Sequence, residues 1–159
     1  MIINKNWIFL IILILISILW IFAQENFDPI ENFHEHLFLG NIEKVKFYLR
    51  EFPNIIKYKN KDGFCPVTSS IYFAFSHEEA HELLNLLYEA KADFNCLSKM
   101  NSQTPFDMTP LAYCIYQEPY LDNFIDDLIK FGADPNHPTV RDVINFNKNI
   151  IGKYTSIEL

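Results

Sequence analysis

The hydrophobic pattern divides the chain into two unlike parts. From Trp7 to Ala23 apolar residues run unbroken apart from Ser17, with no polar face. Beyond that run, apolar residues recur at three- and four-residue intervals, interrupted by Pro, Gly, Asn and Asp. This spacing predicts a succession of amphipathic helices.

Asp28-Pro29-Ile30-Glu31 reads as a helix start, with an Asp cap, Pro at the first helical position and Glu close behind. Phe33, Leu37 and Phe38 then fall on one face, and Gly40-Asn41 breaks the helix. A second helix follows with a buried stripe of Ile42, Val45, Phe47, Tyr48 and Leu49, ending at Phe52-Pro53, where proline forbids continuation. The polar stretch from Lys59 closes on Asp62-Gly63, a turn signal. Pro66 opens a helix through Val67, Ile71 and Phe75. A loop at Ser76–Glu79 leads into a helix carrying Leu83, Leu84, Leu86 and Leu87. After a polar loop, Leu97–Gln103, come Thr104-Pro105 and Thr109-Pro110, the second starting the helix Thr-Pro-Leu-Ala-Tyr-Cys-Ile. Pro119 interrupts, and a further helix with Leu121, Phe124, Ile125, Leu128 and Ile129 stops at Gly132. Thr139–Asp142 caps a short last helix with Val143, Ile144 and Phe146, and residues 148–159 read as a flexible tail. With no convincing long strand, the expected class is all-α.

The last turn of this scheme is written twice. Leu128–Asn136 (Leu-Ile-Lys-Phe-Gly-Ala-Asp-Pro-Asn) follows Leu87–Asn95 (Leu-Tyr-Glu-Ala-Lys-Ala-Asp-Phe-Asn) at an offset of 41 residues. Recurrence at a fixed offset is the mark of stacked repeats, in which short helix pairs bury their apolar faces against one another. Asp62-Gly63-Phe64-Cys65-Pro66-Val67, Thr109-Pro110-Leu111, Lys91–Asn95 and Gly132-Ala133-Asp134-Pro135-Asn136 together resemble the ankyrin repeat family. Gly40–Lys46 resembles the start of a second helix in a first repeat. The resemblance covers about Phe27–Phe146. It implies about three helix-turn-helix repeats plus a short C-terminal capping helix, following an N-terminal hydrophobic helix. The departures are physical. Pro66 to Pro110 is 44 residues against a family period of about 33, which puts extra residues around Tyr72–Glu79 and in Leu97–Thr109. Thr68 and Ala112 stand where the family has histidine. Lys91 stands where a glycine usually takes positive φ.

In the ankyrin family, first helices and loop tips line the concave side on which partners dock. That places Tyr72, Tyr113 and Tyr116, with Lys61, Asp62, Lys99 and Met100, as the expected exposed contacts to another protein. Tyrosine suits such a role because it brings apolar area and a hydroxyl at small entropic cost.

Charge narrows the partner. The chain carries a net −7; removing the first 23 residues, which hold only Lys5, leaves 12 basic against 20 acidic residues, a balance of −8. No basic stripe is available for phosphates, which argues against nucleic acid. An acidic domain suits a basic protein partner. Residues 1–23 are expected to be a signal anchor or transmembrane segment spanning the membrane through residues 7–23, or a signal segment cleaved after Ala23. Lys5 precedes the run and Glu25, Asp28 and Glu31 follow it, so residues 24–147, one monomeric repeat domain, are expected outside the cytoplasm, in a periplasmic or similar space.

Candidate chemistry is thin. His77-Glu78-Glu79-Ala80-His81 matches the zinc-protease spacing, in which two imidazoles one helical turn apart hold the metal and the glutamate serves as base. Only three positions are fixed and no third ligand presents itself, so a zinc hydrolase stands as the alternative. His34 and His36 fall on different helix faces. The four glycines are dispersed, with no phosphate loop among them, and no cofactor or metal is expected. Cys65, Cys96 and Cys114 read as three buried small hydrophobes, with one bridge plus one thiol as the option in an oxidising compartment. The expectation is a non-enzymatic interaction protein of the cell envelope, such as an inhibitor or immunity protein, with a structural membrane-proximal module as a further alternative.

Overall fold

The computed structural model describes residues 11–15, 28–72, 77–99, 107–117, 121 and 124–151, without the side chains of 77, 78 and 147–151. The described residues are all-helical, and no β-strand occurs among them. The helices are α1 (Pro29–Phe38), α2 (Ile42–Glu51), α3 (Pro66–Tyr72), α4 (His77–Glu89), α5 (Pro110–Tyr116), α6 (Ile125–Lys130) and α7 (Pro138–Ile151), with a 3-10 turn at Ile55–Lys57.

Local chemistry sets most of the ends. Asp28 Oδ1 accepts the backbone N–H of Ile30 (2.9 Å) and Glu31 (3.3 Å), so α1 begins where the Asp-Pro pair predicts. Gly40 takes φ +67°, and the side chain of Asn41 accepts the N–H of Lys44 to restart the chain as α2. Thr109 Oγ1 accepts the N–H of Ala112 ahead of Pro110. Two boundaries differ from the sequence expectation. The predicted loop at Ser76–Glu79 gives way to helix from His77 onward. The last helix opens at Pro138, one residue before the expected Thr139 cap, and runs to Ile151, beyond Phe146. Beyond its opening Pro138 this stretch holds neither Gly nor Pro to break it.

The helices form two rows. α1 packs on α3, α3 on α5 and α5 on α7; beside them α2 packs on α4 and α4 on α6. Within each pair, α1 lies against α2, α3 against α4 and α5 against α6. The core lies between the rows and between successive pairs, where Phe33, Leu37, Val45, Ile71, Leu83, Leu84, Leu87, Leu111 and Leu128 are fully buried. Phe47, expected in the buried stripe of α2, is 42% exposed. Val45 and Tyr48 already fill the face of α2 toward the core, so Phe47 lies edge-on to Tyr48 with the Arg50 guanidinium over its ring.

The segments joining one pair to the next share a design. Lys91 and Gly132 take positive φ (67° and 102°) at equivalent positions after α4 and α6. Asp93 Oδ1 then accepts the N–H of Asn95, and Asp134 Oδ1 that of Asn136. Asn95 also links the two segments: its Nδ2 donates to the Gly132 carbonyl (3.0 Å) and its Oδ1 accepts the Asp134 N–H (2.7 Å).

Among the described residues no helix is long and apolar enough to cross a membrane, which corrects the transmembrane and signal-anchor expectation. Within the apolar run, residues 11–15 are helical with exposed side chains, and the remainder of 1–23, including the expected cleavage point, lies outside the described residues.

Candidate functional site

The surface most suited to recognition is a row of aromatic rings crossing α1, α3, α5 and α7, labelled the inner helices, with α2, α4 and α6 the outer ones. Phe38 at the end of α1 meets Phe64 edge-on and Tyr72, both at 6.1 Å between centroids. Phe64 lies 4.7 Å from Tyr72, and Tyr72 stacks on Tyr113 of α5 at 5.5 Å and 15°. Further along, Tyr116 of α5 approaches Phe146 of α7 at 6.2 Å. Phe38, Phe64, Tyr72, Tyr116 and Phe146 are all half-buried. The row arises because α1, α3, α5 and α7 each carry an aromatic in or near their last described turns and stand side by side.

Tyr113 is 5% exposed, which corrects its place among the exposed contacts. Its ring supports Tyr72 from below. Burial, with Tyr72 and Cys114 adding to it, holds its phenol far above the usual tyrosine range, so the hydroxyl stays protonated. Lys61 and Asp62 are exposed at the turn before α3. Lys61 forms an ion pair with Glu31 (3.9 Å), and its backbone N–H donates to the same carboxylate. Lys99 is exposed and its N–H donates to the Gly63 carbonyl, which sets the base of the second loop on the first. That loop is closed by Ser98 and Met108, which exchange both backbone hydrogen bonds. Met100 lies outside the described residues. Tyr72 and Tyr113 are thus brought into contact, Tyr116 sits farther along the same row, and Lys61, Asp62 and Lys99 flank its first half.

Sequence reading missed Phe38, Phe64 and Phe146 as members of the row. For Phe38 and Phe146 the available signal was an aromatic six to nine residues after each of the helix-opening prolines Pro29, Pro66, Pro110 and Pro138; Phe64, in the turn before Pro66, carried no such signal.

A second polar feature sits behind the row. His34, fully buried, bonds Ser69 Oγ through Nδ1 (2.6 Å) and the Tyr58 carbonyl through Nε2 (3.0 Å). Nε2 must carry the proton, because a carbonyl only accepts, so Nδ1 accepts the Ser69 hydroxyl proton. Burial holds this imidazole below the ordinary histidine range, with Tyr58 and Glu31 opposing.

The histidine pattern at the start of α4 is resolved at one end. His81 Nδ1 lies 2.6 Å from Asp127 Oδ2 of α6, tying two outer helices together. The side chains of His77 and Glu78 lie outside the described residues, and no metal-holding group of three ligands occurs among those described. Of the two cysteine expectations the three-hydrophobe reading is corrected and the bridge plus one thiol is found: Cys65 and Cys96 form a disulfide across 31 residues, and Cys114 is a buried thiol. Three buried small hydrophobes would have needed no partner; here the turn before α3 and the segment after α4 meet. No family model, curated protein or solved structure matches this chain.

Proposed function

We propose that the helix pairs form an ankyrin-like repeat stack and that the protein acts without catalysis, by binding another protein across its inner helices. The observation that carries this reading is the half-buried row Phe38–Phe64–Tyr72 and Tyr116–Phe146 along neighbouring inner helices. Such rings offer large apolar area with little side-chain entropy left to lose, which is the character of interface anchors. The doubled Asp-x-Asn turn and the Asn95 link between turns support the repeat reading. A net charge of −7 favours a basic partner through steering.

The test is crosslinking and pull-down from the native cells with the full chain as bait. The expected result is one stoichiometric basic protein, lost when Tyr72 and Tyr116 are both changed to Ala while helicity and melting temperature hold. Equal recovery with the double variant would remove the aromatic row as the binding surface.

A further inference from the structure

Beside the Cys65–Cys96 disulfide the surface opens into a cleft of about 390 Å³. Its walls include both cysteines and Lys57, Lys59 and Lys91, with Asp93 as the opposing charge, a local excess of cations in a chain of net −7. All three lysines are exposed. Lys57 Nζ donates to Asn54 Oδ1 and Lys91 Nζ lies over the Tyr88 ring, so neither head is neutralised by those contacts.

The two sulfurs stand in different surroundings. Cys65 is 2% exposed, and its Sγ lies 3.3 Å from both Thr68 Oγ1 and Ser98 Oγ. A disulfide sulfur carries no proton, so the Thr68 hydroxyl is the donor to it. The Ser98 hydroxyl lies within reach of both that sulfur and Thr68 Oγ1 (2.8 Å). Cys96 sits on the partly exposed segment after α4.

We infer that Cys96 is a modification site, at which an anionic low-molecular-weight thiol forms a mixed disulfide with this protein. The incoming thiolate attacks Cys96 Sγ in the lysine-lined cleft. A new S–S bond forms between the small thiol and Cys96 as the Cys65–Cys96 bond breaks, and the bonding pair leaves on Cys65 Sγ. One thiolate enters and one departs, so no outside oxidant or reductant is consumed. Lys57, Lys59 and Lys91 raise the local concentration of a thiol bearing carboxylates. Thr68 and Ser98 hydrogen-bond the departing thiolate, which lowers its pKa, and thiols of lower pKa leave faster. Attack in the other sense would have to reach the buried sulfur. Return attack by Cys65 expels the small thiol and restores the bridge.

The test uses the full oxidised chain with glutathione as the anionic thiol and cysteamine as the cationic one, at matched thiolate concentration. Samples are quenched early with an alkylating agent and the sites mapped by peptide mass. Glutathione should appear on Cys96 with the alkyl group on Cys65, about tenfold faster than cysteamine. Changing Lys57, Lys59 and Lys91 together to Gln should bring the two rates to within about twofold, since the steering charge is gone. Thr68→Val should slow the reaction with both thiols alike. Glutathione on Cys65, equal rates for the two thiols, or adducts only in unfolding urea would each overturn the inference.

Discussion

Lys91 shows what one backbone angle costs and why it is tolerated. Its φ of +67° is a region where the L side chain crowds its own carbonyl, at about 1–2 kcal/mol per residue. Glycine would relieve that and lose about 0.5–1 kcal/mol through unfolded-chain entropy, so Lys91→Gly should stabilise by about 0.5 kcal/mol. Gly132→Ala is the reverse experiment. Nothing lies within 4 Å of the added Cβ, so its φ of +102° alone should cost about 1–2 kcal/mol. Urea midpoints at unchanged slope measure both; a loss in Lys91→Gly would contradict the strain argument.

His34 carries the pH dependence expected at this scale. Its folded pKa lies below the unfolded 6.5, so the unfolded chain takes up the proton first as pH falls. Stability is therefore intact above neutrality and declines as pH drops through 6.5 toward the folded pKa, where the loss is complete. His34→Asn should flatten the stability curve in the window that opens as pH falls below the unfolded 6.5. An unchanged slope in that window would mean that the imidazole is not held neutral.

At the scale of elements, the repeating turn is held by side chains as much as by helix packing. Asn95 spans from the segment after α4 to the segment after α6, filling its acceptor with the Asp134 N–H and its donor with the Gly132 carbonyl. Asn95→Ala removes both, and two modest hydrogen bonds together are worth about 1–2 kcal/mol. The expected outcome is a loss of that size, with faster amide exchange at Asp134 in particular. No change at Asp134 would show that the link is not formed in solution. These turns were largely legible beforehand, because Asp-x-Asn and the left-handed residue before it act within a few positions. The boundaries that moved carried local signals that the loop reading at Ser76–Glu79 and the expected Thr139 cap passed over. α4 opens at His77, where Ser76-His77-Glu78-Glu79 has the spacing of a capping box, and α7 runs to Ile151 through a stretch without Gly or further Pro.

At the scale of the molecule, the disulfide adds what a small stack of short helices cannot supply alone. Closing a loop of 31 residues constrains the unfolded chain by about 3–4 kcal/mol in the chain-entropy account. Reduction should lower the unfolding free energy by about that amount, read as the shift in urea midpoint with and without reductant. A midpoint insensitive to reductant would mean that the bridge is not formed. The row of rings belongs to the same scale, since Phe38, Tyr72 and Tyr113 come from three separate helices and touch only because those helices pack side by side.

The sequence by itself determined the helical class, the caps at Asp28 and Thr109, the breaks at Gly40 and Gly132 and the strained turn at Lys91. Each rests on interactions within about one helical turn, which residue order specifies directly. Only the tertiary structure decided that Tyr113 is buried while Tyr72 is half-open, that Phe47 faces solvent, and that Cys65 meets Cys96. The same holds for His34, which reaches Ser69 35 residues away. Those outcomes depend on which helix lies beside which, and apolar periodicity marks a face without naming what covers it.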